Sequence, residues 1–153
     1  MLKLSNVISN AIIEIHSFEI WRYYMKTINV VAAIIKKDNK ILIAKRGYGE
    51  FKGMYEFPGG KIEQNEKPEE ALKREILEEM KTHIEVDRFF YHVHYEYPNF
   101  ILEMDCFLCH LLDEHITLLE HMDYQWIDPN KDIDVIWVSA DIQIIDEIRT
   151  KGI

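Results

Sequence analysis

The chain has 153 residues, 48% of them hydrophobic and 29% charged, with a formal net charge of −9. That length and apolar share suit one globular domain with a real core and exclude a disordered composition. The negative balance argues against a duplex DNA or RNA partner, which needs clustered Lys and Arg, but leaves room for a small phosphorylated ligand held through a metal; no apolar run reaches the length of a membrane span.

Residues 1–24 read as an extension outside a domain spanning 25–153, or else as a helix that docks on it, with "NAIIEIHSFEIWRYY" patterned as one amphipathic helix. The extension lacks a small-residue cleavage site and the Arg- and Ser-rich composition of a transit peptide. "INVVAAII" and "ILIAKR", joined by the polar turn "KKDNK", predict a β-hairpin. Next, "GYGEFKGMYEFPGGK" is punctuated by glycine and proline, which predicts a loop with a short strand at Tyr55–Phe57. Pro68 opens a helix, Glu69 and Glu70 suit the positive end of its dipole, and Leu72, Ile76 and Met80 form its buried stripe. "EVDRFFYHVHYEY" and "FILEMDCFLCHLL" predict two long strands about the turn "YPNF", followed by a shorter strand at "YQWID". "ADIQIIDEIRT" predicts a closing amphipathic helix with Asp141 as a candidate N-cap. Strands and helices interleave without a strict βαβ repeat, which gives an α+β class with a mixed sheet.

Two motifs invite a metal reading and fail it on geometry. Cys106 and Cys109 lie three apart in a strand, so they point to opposite faces and read as ordinary thiols. His92 and His94 share a strand face, but no third ligand stands at a sensible spacing, so structural roles are expected. Two cysteines without a secretory signal point to a reducing cytosol and a cytoplasmic protein.

The helix itself carries the chemistry. "KREILEEMK" places Glu75, Glu78 and Glu79 at i, i+3 and i+4 on one face, beside the apolar stripe. Like charges at that spacing repel. A Glu-rich face is usually just solvated, but here no lysine is interleaved to relieve it. The loop "FPGGK" just upstream exposes backbone carbonyls and lets the chain approach a ligand closely. Carboxylates plus a carbonyl form an oxygen-rich site of the kind that Mg²⁺ or Mn²⁺ takes, with Mg²⁺ usually shared with substrate phosphates.

Gly60, five residues, Glu66, seven residues, then "REILEE" from Arg74 to Glu79 resembles the signature of the Nudix hydrolases, G-x5-E-x7-R-E-U-x-E-E-x-G-U with U a bulky aliphatic. The run "EFPGGKIEQNEKPEEALKREILEE" and the later "HYEYPNF" are similar to the MutT-like branch, and the resemblance covers roughly Met25 to Ile148. It departs from the signature at Lys81, which replaces the glycine after the helix, and at Thr82, which replaces the last aliphatic. Glycine there would serve a left-handed cap, and a lysine in that conformation costs on the order of 1 kcal/mol.

The resemblance implies an α/β/α sandwich that hydrolyses a nucleoside diphosphate linked to another moiety, with Mg²⁺ or Mn²⁺ as cofactor. By position, Glu75, Glu78 and Glu79 would bind metal with the Gly60 carbonyl, or that of Gly59, assisting. Arg74 would fix a helix carboxylate, and Glu66 would hold the loop against the helix. Glu120, ahead of the strand containing Trp126, matches the further acid, and Glu75 is favoured as the water's proton acceptor with Glu78 as rival. Arg46 and Lys61 would face phosphates, with a surface salt bridge as the other reading of Arg46. Phe57 would wall the base or be a core aromatic, and Asp141 would read the base or only cap the helix. The expected partner is a nucleotide, with neither duplex nucleic acid nor membrane, and a monomer or homodimer. Three readings fit this pattern. The first is a pyrophosphohydrolase of (deoxy)nucleoside triphosphates, including oxidised purines or cytidine nucleotides. The second acts on ADP-ribose, a dinucleoside polyphosphate or a nucleotide sugar, with Pro98 at a spacing associated with ADP-ribose enzymes. The third is a non-catalytic nucleotide-binding module.

Overall fold

In chain order the elements are β1 (Lys26–Lys37), β2 (Lys40–Arg46), β3 (Tyr55–Glu56), β4 (Gly59–Lys61), α1 (Pro68–Met80), β5 (Ile84–Glu96), β6 (Phe100–Leu111) and β7 (His121–Ile127). A 3₁₀ turn (Ser139–Asp141) and α2 (Ile142–Lys151) follow. This computed structural model describes residue 17 and residues 20–153.

Strand β1 is the spine. Val31–Ile35 are buried on both faces, which is why the run is continuously apolar rather than alternating. One edge of β1 pairs in parallel with β6 from Lys26↔Phe100 to Ile35↔Cys109, and β6 pairs antiparallel with β5. The other edge is shared. Its far end closes the hairpin with β2 at Lys36↔Ile41 and Lys37↔Lys40, while Val30–Ala32 pair with β4. Between these contacts β1 and β2 part. β2 turns to a second small sheet, with β3 on one edge and β7 on the other. The segment "YEFPGGK" bridges the gap, and the Ala33 N–H donates to the Pro58 carbonyl at 2.8 Å.

Helices cover both faces, so the fold is a mixed sheet between helices in the α+β class. On one face Leu72, Ile76 and Met80 of α1 pack with Val31, Ala33, Ile35, Leu42 and Cys109. On the other, Ile144, Ile145 and Ile148 of α2 pack with Ile34, Ile41, Ile43 and Cys106. The two thiols are thus buried on opposite faces of β6, as period two requires. His92 lies between Asp105 and Glu103, each at 2.7 Å, and His94 meets Glu103 at 2.7 Å, so both histidines serve cross-strand pairing. No helix among the described residues is long and apolar enough to cross a membrane.

Several expectations need correction. Gly59–Lys61, expected as loop, is strand β4, because tertiary pairing with β1 overrides glycine's weak strand preference. β3 ends at Glu56 rather than Phe57, and β7 starts at His121 rather than Tyr124. Asp141 stands at the N-cap position of α2, but its helical φ/ψ of −71° and −19° belong to the preceding 3₁₀ turn, and its side chain makes no cap bond. Most of the expected helix in residues 1–24 lies outside the described residues. Residues 20–24 are helical, and Arg22 pairs with Glu96 at 2.8 Å.

The two departures after α1 have structural consequences. Lys81 takes the left-handed conformation at φ 49° and ψ 36°, and its N–H donates to the Leu77 carbonyl. Thr82 is fully buried, and its hydroxyl has no partner among the described residues. Thr82→Val and Lys81→Gly are each expected to raise the unfolding free energy by about 1 kcal/mol, one by removing an unsatisfied hydroxyl and the other by removing Cβ strain. Urea titration with an unchanged m-value checks both.

Candidate active site

A cavity of about 430 Å³ opens where β1 and β2 part. Its wall is divided in character. Glu75, Glu78, Glu79 and Glu120 line one part, and Ile28, Phe57, Tyr97, Phe100, Leu102 and Met104 line another. Tyr97 and Phe100 stack at 4.8 Å between centroids, and Phe57 stacks on Trp137 at 5.7 Å.

The exit from α1 sets where the last acid stands. The final turn of a helix leaves carbonyls without intrahelical donors. Here the Thr117 N–H donates to the Met80 carbonyl, and the Leu119 N–H to the Glu79 carbonyl, both at 2.9 Å. These bonds tie the incoming segment to the helix end, so Glu120 arrives beside Glu79. Gly47 lets the chains meet, since a Cβ there would stand 2.5 Å from the Glu120 carbonyl oxygen. The Tyr48 hydroxyl donates to Glu120 Oε2 at 3.2 Å. Gly60 does the same service for Glu75, because a Cβ at Gly60 would overlap the Glu75 carboxyl. The sequence pattern Gly60…Glu75 is therefore a steric requirement of this cleft.

Burial first, then Glu120, Glu75 and Glu56, push the Glu79 carboxyl well above the ordinary carboxylate range. Glu79 Oε2 is buried without a partner among the described residues. Glu75 is raised mainly by burial, against the opposing pull of Arg74. Arg74 is the hub of the positive charge. It donates to Glu66 at 2.8 and 2.9 Å, to Glu75 at 2.8 Å, to Glu78 at 3.3 Å and to the Lys61 carbonyl at 3.0 Å. Glu66 also accepts from the Glu63 N–H, and these hydrogen bonds hold its carboxyl down to about 2. Glu66 thus locks the loop to the helix through Arg74. Among the described residues no three His, Cys, Asp or Glu side chains already stand in a coordinating arrangement. The set is oxygen-only, with Glu75 held by Arg74 and with Glu79 and Glu120 within hydrogen-bonding reach of each other.

The other expected site residues also reach the cleft. Arg46 lines it, but its guanidinium is ion-paired with Glu56 at 3.0 Å and lies over the Tyr48 ring at 5.3 Å, so the salt-bridge reading holds in a half-buried rather than surface form. Burial opposes its charge, and Glu56 outweighs that, leaving its pKa raised. Phe57 is both core aromatic and cleft wall, at 3% exposure. Lys61 stands exposed at the rim. Asp141 is buried and lines the cleft, accepting from the Phe57 N–H at 2.7 Å, and burial pushes its carboxyl well up. Among the cleft residues that escaped the sequence reading are Tyr48, Tyr97, Phe100, Glu56 and His121, the last two meeting at 3.1 Å. An acid inside the apolar "YEF" was the only signal for Glu56.

Glu79 gives a pH-dependent prediction. Its proton is held to higher pH in the folded chain than in the unfolded one. That contribution is complete in acid and is lost as pH rises above the ordinary carboxylate range through the folded value. In metal-free protein, Glu79→Gln is therefore expected to match the wild-type melting temperature near pH 4 and exceed it by a few degrees at pH 8; paired thermal melts check this.

The family model described as NUDIX domain matches residues 30–146. The CTP pyrophosphohydrolase of Escherichia coli (strain K12) is 35% identical over 125 residues, covering 80% of this chain and 91% of that protein. The 8-oxo-dGTP diphosphatase of Buchnera aphidicola subsp. Schizaphis graminum is 38% identical over 104 residues, covering 67% and 78%. The solution structure of a MutT protein from methicillin-resistant Staphylococcus aureus 252 superposes with a TM-score of 0.66 at 41% identity, covering 84% of this chain and 99% of that one. The chain belongs to the Nudix hydrolase family and is of the MutT-like type.

Proposed function

We propose that the protein is a divalent-metal-dependent pyrophosphohydrolase of (deoxy)nucleoside triphosphates that releases a nucleoside monophosphate and pyrophosphate. The observation that carries this reading is the meeting of Glu75, Glu78, Glu79 and Glu120 with an apolar and aromatic lining in one nucleotide-sized cleft. The similarity to a CTP pyrophosphohydrolase and to 8-oxo-dGTP diphosphatases over two thirds or more of the chain supports the substrate class.

Two features fit a hard cation. Glu79 Oε2 is a buried acceptor without a partner among the described residues, and the absence of a Cβ at Gly60 lets the Glu75 carboxyl lie against the Gly59–Lys61 strand. Glu78, Glu79 and Glu120, with the Gly60 carbonyl, would hold Mg²⁺ or Mn²⁺. When bound, the cation would neutralise phosphate charge and orient water. Glu75, half-buried and raised in pKa, accepts the proton of the attacking water in this scheme, and Glu78, its rival, is the more exposed of the two. Arg74 does not touch substrate. It fixes the Glu75 rotamer, holds the Gly59–Lys61 strand by its bond to the Lys61 carbonyl and, through Glu66, holds the loop at Glu63. Lys61, at the rim, offers its ammonium to the phosphates. Phe57 and the Tyr97–Phe100 pair wall the base, and Asp141 accepts from an amino or imino group on its edge. Sanitising oxidised or otherwise altered nucleotides is the role such a site suits.

The test is a panel of nucleoside triphosphates, ADP-ribose and dinucleoside polyphosphates with Mg²⁺ or Mn²⁺, with released phosphates identified by ³¹P NMR. Pyrophosphate from triphosphates is expected, and Glu79→Gln is expected to lower kcat by at least about 100-fold with an unchanged near-UV circular dichroism spectrum. AMP and ribose phosphate from ADP-ribose alone would overturn the substrate class. Wild-type turnover in Glu79→Gln would overturn the site assignment.

A further inference from the structure

His121 follows Glu120 directly, yet the two side chains live in different surroundings. Glu120 is exposed, whereas the His121 side chain is only 5% exposed. The ladder between β2 and β7 explains the difference. Lys45 pairs with Asp123 and Arg46 with His121, so Met122 is skipped in a β-bulge at the mouth of the cleft. Bulges of this kind bend a strand and re-aim the side chains beside it. Here His121 turns inward to the Arg46–Glu56 pair. Its Nε2 meets Glu56 Oε1 at 3.1 Å, while Arg46 Nη1 donates to Glu56 Oε2 at 3.0 Å. Two nitrogens, His121 Nδ1 and Arg46 Nε, are buried there without partners among the described residues. Buried polar nitrogens left without partners are costly, which marks this clamp as more than core filling.

Glu120 is held on its N-terminal side by the bond from the Leu119 N–H to the Glu79 carbonyl. On its C-terminal side the ladder resumes past the bulge only at the Arg46↔His121 pair, and the His121 side chain adds a second anchor there through Glu56. We infer that His121 is a positioning residue: its hydrogen bond to Glu56, beside the β7 bulge, sets where Glu120 stands opposite Glu79. The clamp also couples the place of Glu120 to that of Arg46, since both depend on Glu56. This rests on the reading of Glu120 as a metal-binding acid.

The test uses His121→Gln and His121→Asn in the full chain. A glutamine amide reaches the place of Nε2, and an asparagine amide is too short to reach Glu56. Mn²⁺ binding is followed by electron paramagnetic resonance without nucleotide, and kcat and KM are measured separately. In His121→Asn, Mn²⁺ binding is expected to weaken by about tenfold or more, with kcat falling and nucleotide KM held within about twofold. His121→Gln is expected to recover Mn²⁺ binding to within about threefold of wild type. Near-UV circular dichroism confirms a native fold for each, and if His121→Asn does not fold, His121→Leu, which has no ring nitrogen, takes its place in the Mn²⁺ measurement. Wild-type Mn²⁺ affinity in His121→Asn, or equal losses in both variants with native folds, would overturn the inference. Absence of Mn²⁺ uptake by the wild type would overturn the metal reading, and this inference with it. Uptake by the wild type that is unchanged in His121→Asn overturns this inference alone.

Discussion

Like charges on neighbouring turns of a helix repel, yet Glu75, Glu78 and Glu79 share one face of α1, and Glu120 is brought up against them from another element. The surrounding structure is arranged to hold that crowding in place. Gly60 and Gly47 remove the Cβ atoms that would stop the approach of Glu75 and of Glu120. Arg74 takes Glu66, Glu75 and Glu78 into one hydrogen-bonded group. The carbonyls at the end of α1 capture Thr117 and Leu119. Each device is local chemistry, and together they keep four acids on one cleft wall at the expense of Glu79, whose carboxyl is forced toward its protonated form.

The fold makes room for this by letting its first hairpin come apart. β1 and β2 pair only at their closed end, so each is free to join a different sheet, and the gap becomes the cleft. Phe57 and Pro58 cross that gap, one as a wall that stacks on Trp137, the other through its carbonyl to Ala33. The same crossing segment supplies Glu56, which meets both Arg46 and His121. One short stretch thereby touches the aromatic wall, the helix acids and the basic residue at the end of β2.

Much of this was legible in the amino-acid order because it rests on short-range pattern. Period four gave the buried stripe of α1, period two put Cys106 and Cys109 on opposite faces, and the spacing from Gly60 to Glu79 carried the family signature. The lysine in place of the signature's glycine left the exit from α1 open in the sequence, and Lys81 takes the left-handed conformation that a glycine would have taken. What escaped depends on contacts between distant segments. The strand at Gly59–Lys61 exists because β1 offers an edge, which no local propensity records. Asp141 looked like a helix cap because its position relative to "IQII" is right, but a 3₁₀ turn ahead of it rotates the carboxylate to the Phe57 N–H. His121 drew no notice beside Glu120, since only the pairing register of β7 reveals the bulge that buries it.

A cation that balances these acids is tested most directly by a thermal melt with and without Mn²⁺, because a ligand that binds only the folded chain must raise its melting temperature. Millimolar Mn²⁺ is predicted to raise the melting temperature of the wild type by several degrees at pH 8 and to leave a Glu79→Gln, Glu120→Gln double variant unmoved. An equal response in both proteins, or none in the wild type, would contradict it.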